Sequence, residues 1–146
     1  MEAFYWNEMM HMGNYTPRNA FQAGIDLDGE PIYVGQGHHS GHLLPGKYIP
    51  PKNGLLVPHD GQEVSVFNFK VLCEKLLDWV PVNDGQIPPG AVPGGDTTTG
   101  DLLHIGRVRF QNSLVVGRVQ HGLCYVTLQG KETTYNDFEV LVLSSI

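Results

Sequence analysis

Hydrophobic residues occur along this chain in short runs, each only a few residues long and each bounded by turn-forming residues. Residues 107–110 alternate polar and apolar side chains, which is typical of a half-buried strand. Asp28-Gly29 and Asp60-Gly61 are dipeptides that favour tight turns between strands. One helical turn is predicted, within residues 71–79. The other predicted strands are residues 32–34, 103–105, 123–128 and 138–142.

Glycine and proline explain why these runs are short. Glycine and proline account for 18 and 10 of the 146 residues, together about 19% of the chain. Their combined share in average proteins is roughly 12%. Long amphipathic helices are therefore excluded. Disorder is excluded as well, because 41% of the residues are hydrophobic and 10% are aromatic. The pattern predicts an all-β fold.

The chain contains an internal duplication. Trp6 and Trp79 each precede a series of matching motifs, which recur in the same order in the two halves of the chain. Glycines recur at equivalent places, which suggests shared backbone geometry. We predict two modules, residues 1–76 and 77–146, related by a pseudo-twofold axis and packed as one compact unit. The matched glycine pairs are 24 and 95, 29 and 100, 35 and 106, 46 and 117, and 61 and 130.

Net charge and hydropathy exclude several classes of partner. The net charge is -6, and the 9 basic residues are scattered rather than clustered, so nucleic acid is not a predicted partner. No apolar run approaches the roughly 20 residues of a membrane helix, so no transmembrane segment is predicted. The start of the chain lacks the basic region of a secretory signal. The expectation is a cytoplasmic protein, with vesicle association or unconventional secretion as the alternatives.

Cofactor chemistry is not predicted. Cys73 and Cys124 have no disulfide-framework or metal-binding spacing, and they are expected to be small buried residues. His38 and His42 could share one face of a strand, but no further Cys or acidic residue stands at a zinc-site spacing. We therefore predict no metal and no cofactor.

The repeated motifs resemble a known family. They include Pro17-Arg-Asn-Ala20, Gly24-Ile-Asp-Leu-Asp-Gly29, Tyr33-Val-Gly35, Leu44-Pro-Gly-Lys47 and Gly61-Gln-Glu63. In this order they resemble the DM-nine repeat family of invertebrates, which occurs as tandem pairs, and the resemblance covers nearly the whole chain. It implies β-sandwich-like modules related by pseudo-twofold symmetry, often assembled as a homodimer. Similar proteins include mannose-binding mollusc lectins and infection-responsive insect proteins.

The resemblance also implies sugar recognition by Asp26 and Lys47. A carboxylate accepts hydrogen bonds from two sugar hydroxyls, an ammonium donates to sugar oxygens, and such charge-assisted bonds need no metal. The alternative is an ordinary surface ion pair. The pocket rim is expected to include His42, Tyr48 and Glu30. Histidines in the rim would make sugar binding sensitive to pH.

The second copy departs from this pattern. When the two copies are aligned by their matched glycines, Thr97 replaces Asp26 and Arg118 replaces Lys47. Arginine differs from lysine in shape and hydrogen-bonding geometry, and Asp96 is the neighbouring acid that stands nearest to the missing carboxylate. A second sugar site with these residues is expected to be altered, weakened or inactive.

The leading interpretation is a metal-independent lectin that binds mannose-type glycans in innate immunity. The alternative is an intracellular, vesicle-associated interaction protein that responds to infection and has lost or weakened its sugar binding. Asp26, Asp28, Glu30 and Glu63 are candidate glycosidase carboxylates. Acids beside turns are usually solvated, so no enzymatic activity is predicted.

Overall fold

The computed structural model describes residues 4–9, 15–52, 54–74 and 76–144. These residues form fourteen β-strands and one 3-10 turn at Pro50–Lys52. The prediction of an all-β fold is confirmed. The strands are β1 (Phe4–Glu8), β2 (Gln22–Ile25), β3 (Pro31–His39), β4 (His42–Tyr48), β5 (Leu55–His59), β6 (Gln62–Val66), β7 (Phe69–Glu74), β8 (Leu77–Val82), β9 (Pro93–Asp96), β10 (Leu102–Phe110), β11 (Ser113–Gln120), β12 (Leu123–Leu128), β13 (Lys131–Tyr135) and β14 (Phe138–Leu143).

The predicted strands and turns are present, and the predicted helical turn is not. Asp60 and Gly61 have φ angles of 49° and 78°, the left-handed geometry of a tight hairpin turn. The prediction of a helical turn within residues 71–79 is wrong. Those residues end β7 and begin β8, and a short apolar run is compatible with either structure until its neighbours are known.

The two halves of the chain pair their strands in the same order. In the first half, β3 pairs with β2, β4 and β7, β7 pairs with β1, and β4 continues through β5 to β6. In the second half, β10 pairs with β9, β11 and β14, β14 pairs with β8, and β11 continues through β12 to β13. Each strand of the first half therefore has a counterpart at the same place in the order of the second half.

The halves are joined into one sheet by three strand pairings. Strand β2 pairs with β11, β9 pairs with β4, and β6 pairs with β13. A twofold rotation that exchanges the two halves converts the β2–β11 pairing into the β9–β4 pairing. The same rotation maps the β6–β13 pairing onto itself. Because β3 also pairs with β4, the strands β3, β2, β11, β12, β13, β6, β5 and β4 form a closed ring. The result is one compact unit.

The hydrophobic core follows the same arrangement. A central cluster takes buried side chains from both halves, including Ile32, Val34, Ile105 and Val116. Two flanking clusters each belong mainly to one half. Trp79 packs against the central cluster and stacks on Phe21, with ring centroids 6.2 Å apart.

Side chains also cross between the halves at equivalent positions. Gln36 Nε2 donates to Gly94 O at 2.7 Å, and Arg107 Nη1 donates to Ala23 O at 2.8 Å. The two donors occupy matched positions in the two copies, and so do the two acceptors. Burial of these polar groups is offset because each finds a partner on the opposite half.

Candidate functional site

Asp26 and Lys47 line the same cavity, although they lie far apart in sequence. The cavity has a volume of about 300 Å³, and we call it the first cavity. It is bordered by the turn after β2, strands β4 to β6 and the 3-10 turn of the first half, and by the turn between β12 and β13 of the second half. Its lining residues are Asp26, Leu27, Asp28, Lys47, Ile49, Lys52, Leu56, Glu63, Gln129 and Gly130.

Lys47 is a buried cation, with 7% of its surface exposed. Its Nζ donates to Thr127 O on β12 at 3.0 Å and lies 3.5 Å from Glu63 Oε2 on β6. An ammonium has three N–H donors, so one remains without a partner among the described residues. Lys47 therefore joins the two halves of the protein and also presents a donor to the cavity.

Gly46 explains how Lys47 reaches this position. A Cβ atom at Gly46 would lie 2.3 Å from Leu56 O and 2.8 Å from a Val57 methyl group. Only glycine allows β4 and β5 to approach so closely. The repeated glycine before the cation is thus explained by close strand approach rather than by a positive φ.

Asp26 lies at the end of β2, where a tight turn leads to β3. Its backbone N–H donates to Glu30 O at 2.9 Å. Its carboxylate accepts a short hydrogen bond from Lys52 Nζ, which also lies 3.2 Å from Asp28 Oδ2. Asp26 is therefore paired with Lys52 and not with Lys47. Its other oxygen, Oδ1, has no hydrogen-bond partner in the part of the chain that the structure describes.

Ion pairing changes two pKa values at this cavity. The hydrogen bond to Asp26 is the main reason that the pKa of Lys52 is raised. The backbone N–H of Glu30 and then the ammonium of Lys52 lower the pKa of Asp28. Both shifts favour the charged forms, so Lys52 keeps its positive charge between the two aspartates.

None of the three expected rim residues is among those that line the first cavity. Tyr48 is fully buried in the core, and its hydroxyl donates to Tyr15 O at 2.7 Å. Glu30 is not among the residues that line the cavity. His42 lines a different cavity. Tyr48 follows Lys47 on one strand, so the two side chains point to opposite faces.

Of the residues that line the first cavity, only Asp26 and Lys47 were predicted as part of the sugar site, so the polar residues Lys52, Gln129 and Glu63 were missed. Glu63 was predicted only as a candidate glycosidase carboxylate. Its position in the repeated motif, matched by Glu132, was a usable signal. Lys52 lies in the 3-10 turn where the spacing between the copies changes, so the repeat offers no counterpart for it.

A second cavity, of about 220 Å³, occupies the equivalent place in the other half. Arg118 is 8% exposed and takes the position of Lys47. Its Nη1 donates to Pro58 O and to Glu132 Oε2, the latter at 2.9 Å. The lining residues are His42, Leu44, His59, Asp60, Thr97, Arg118, Gln120 and Glu132.

The two cavities are built reciprocally. Lys47 reaches a carbonyl of the second half, and Arg118 reaches the carbonyl at the matched position of the first half. Thr97 stands where Asp26 stands in the first cavity, with the same backbone bonds to the residues that follow it. Asp96 is exposed and is not among the lining residues, so it does not supply the missing carboxylate.

Within residues 4–9, 15–52, 54–74 and 76–144, no group of His, Cys, Asp or Glu has a metal-binding arrangement. His42 Nδ1 accepts from Thr98 N–H at 3.1 Å, so a neutral His42 carries its proton on Nε2 and has no free nitrogen for a metal. Cys73 and Cys124 are buried and free, as expected. No helix in the described part of the chain has the length and apolar character needed to cross a bilayer.

A model of the DM9 repeat matches residues 3–66 and 26–135. The chain belongs to the DM9 repeat family. Membership suggests a lectin-like or sugar-binding role. No individual curated protein matches the chain in sequence.

Solved structures show a related fold. The crystal structure of the nematode sperm cell motility protein MFP2B superposes with a TM-score of 0.63 at 11% identity. The match covers 98% of this chain and 45% of MFP2B, so the chain spans less than half of that protein. At this identity the likeness concerns the fold alone.

Proposed function

We propose that the first cavity binds a neutral saccharide and that the natural ligands are mannose-type glycans. The observation that carries this proposal is the meeting of Asp26 and Lys47 in one cavity of about 300 Å³. That volume is at the lower end of the range for small-molecule sites, about 300–1,000 Å³. It suits a single sugar ring better than a long ligand.

Donors and acceptors in the cavity match the hydroxyl groups of a sugar. The unpartnered N–H of Lys47 is a donor, and Oδ1 of Asp26 is an acceptor. Gln129 adds an amide that has both properties. Lys52 holds Asp26 in place through their ion pair, and hydrogen bonds to a carboxylate are charge-assisted and strong.

Binding without catalysis is the role that these contacts favour. Glycoside hydrolysis uses one carboxylic acid that donates a proton and a second carboxylate. Asp26 is paired with Lys52, and Glu63 faces Lys47. Each of these carboxylates thus contacts a cation of the protein, an arrangement that suits ligand binding.

A single shallow site of this kind binds weakly, so multivalency is part of the proposal. Association of two copies of the chain would place two first cavities on one particle and raise its avidity for a glycan surface. Such a homodimer would suit recognition of microbial glycans in innate immunity. We also propose residues 1–76 and 77–146 as the two repeat modules, because β8 begins at Leu77.

Retention on mannan resin tests this function. Wild-type protein is expected to be retained and to elute with free methyl mannoside, and Asp26→Asn is expected to flow through. Asp84→Asn is a matched control, because Asp84 is also an aspartate in a turn, where it accepts a backbone hydrogen bond from Gln86, but it lies outside both cavities. Flow-through of wild type, or retention of Asp26→Asn equal to wild type, would contradict the proposal and favour the interaction-protein alternative.

A further inference from the structure

The second cavity differs from the first at the position that matters most for charge. Arg118 with Glu132 repeats the pairing of Lys47 with Glu63. The acceptor carboxylate of Asp26 has no counterpart, because Thr97 replaces it. A hydroxyl carries no fixed negative charge, so the carboxylate that stands opposite the ligand position at Asp26 is absent here. A different carboxylate, Asp60, lines the second cavity at the place that Gln129 takes in the first.

Arg118 has donor capacity to spare. Its Nε donates to Gln120 Oε1 at 2.8 Å and its Nη1 serves Pro58 and Glu132. Nη2 has no hydrogen-bond partner within the described ranges. The negative charge of Glu132 is shared between Arg118 and the backbone N–H of Gly61, at 2.9 Å. A guanidinium with a free nitrogen is well suited to a carboxylate.

Two histidines, His42 and His59, line the same cavity, and His39 packs against His59. The rings of His39 and His42 approach the ring of His59, with centroids 4.9 Å and 5.6 Å away. The charged groups that face them are Asp60, 3.4 Å from His59 Nε2, together with Arg118 and Glu132 across the cavity. The first cavity has no histidine in its lining.

Protonation of His59 would remove the negative excess of the lining. With neutral histidines, Arg118 is outnumbered by Asp60 and Glu132. His42 uses Nδ1 to accept from Thr98 N–H, so the change of charge falls on His59. With His59 protonated, the positive and negative groups of the lining are equal in number. Imidazole side chains commonly change charge between pH 5 and 8, so the second cavity becomes more attractive to an anion as the pH falls.

We propose that the second cavity binds an acidic saccharide, whose carboxylate pairs with Arg118, and that it does so more tightly at acidic pH. Thr97 and Gln120 supply hydroxyl and amide partners for the sugar ring. The saccharide part of this assignment rests on the proposed function of the first cavity. The carboxylate part rests on the second cavity alone. One protein would then bind a neutral sugar in the first cavity and an acidic sugar in the second.

Calorimetric titration with methyl glucuronide tests this assignment, with methyl glucoside as the neutral ligand of the same ring. Wild-type protein in EDTA is expected to bind the glucuronide more tightly than the glucoside at pH 5.5. Its affinity for the glucuronide should be at least about fivefold lower at pH 7.5 than at pH 5.5. Equal affinity for the two sugars, equal affinity at the two pH values, or binding that appears only without EDTA would overturn the proposal.

Variants separate this proposal from that for the first cavity. Thr97→Asp gives the second cavity the carboxylate that Asp26 supplies in the first. Thr97 and Asp26 make the same backbone hydrogen bonds, so the local fold accepts aspartate. The variant should abolish glucuronide binding. His59→Gln should remove most of the pH dependence. Asp26→Asn should lose mannan retention while it keeps glucuronide binding, so failure of one site is distinguishable from failure of the other.

Acetate distinguishes a sugar site from a site for any carboxylate. Methyl glucuronide should stay bound in the presence of an equal concentration of acetate. Displacement of the glucuronide by acetate at an equal concentration would overturn the saccharide assignment. Thermal denaturation of each variant verifies folding, and unchanged glucuronide binding by folded Thr97→Asp would overturn the assignment to this cavity.

Discussion

Lys47→Met is the substitution whose consequences follow most directly from the geometry. Methionine keeps much of the length of the side chain and removes the ammonium. The lost contacts are the 3.0 Å hydrogen bond to Thr127 O and the 3.5 Å ion pair with Glu63. Because the hydrogen bond joins the two halves, the substitution should weaken the fold as well as the proposed sugar site.

The expected loss of stability is about 2–3 kcal/mol, because a hydrogen bond from a charged group contributes about 1.5–3 kcal/mol. Breaking a fully buried ion pair costs about 3–5 kcal/mol, but the Glu63 side chain is 21% exposed, so water offsets part of that cost. For a domain of this size, the corresponding decrease in Tm is about 4–10 °C.

Urea denaturation followed by tryptophan fluorescence measures this loss. Lys131→Met is the control, because Lys131 is exposed, and its free energy of unfolding should change by less than about 0.5 kcal/mol. Adding Glu63→Gln to Lys47→Met removes the unpaired charge and should restore about 1 kcal/mol. Lys47→Met as stable as the control would refute the role of Lys47 in joining the halves.

Three further predictions concern the fold. Gly117→Ala should lower the free energy of unfolding by about 2–3 kcal/mol, since its Cβ would lie 1.9 Å from Tyr125 O; a neutral result in urea denaturation would contradict the close approach. Burial raises the pKa of Cys124 to about 12, so iodoacetamide at pH 8 should leave it unmodified until urea unfolds the protein, and rapid labelling of native protein would be inconsistent with this burial. Burial also raises the pKa of Tyr48 to about 12; its unfolded-state pKa is lower, so its contribution to stability is present below pH 10 and is lost as the pH rises toward 12. Melting curves across that range should show a shallower decline for Tyr48→Phe, and an unchanged slope would exclude Tyr48 as a cause.

Local signals predicted much of the fold. Asp60 and Gly61 have the backbone geometry that a hairpin turn requires. The matched motifs anticipated two sets of strands, and the strands pair in the same order in both halves. The apolar run after Val71 misled the prediction because short buried strands and helical turns have similar hydrophobic patterns.

The site was only partly predictable because its contacts cross between the halves. Nothing in the sequence around Lys47 indicates that its partner is the carbonyl of Thr127, on a strand of the other half. Pairing of Asp26 with Lys52 depends on a 3-10 turn that the repeat does not contain twice. Tyr48 was predictable, since alternation along β4 turns it away from Lys47.

The central claim is that a sugar binds between Asp26 and Lys47, and a crystal structure of the protein with methyl mannoside tests it most directly. The account predicts one sugar ring in the first cavity, with hydroxyls that donate to Asp26 Oδ1 and accept from Lys47 Nζ. An empty first cavity at saturating mannoside, or a sugar bound only elsewhere on the protein, would contradict it.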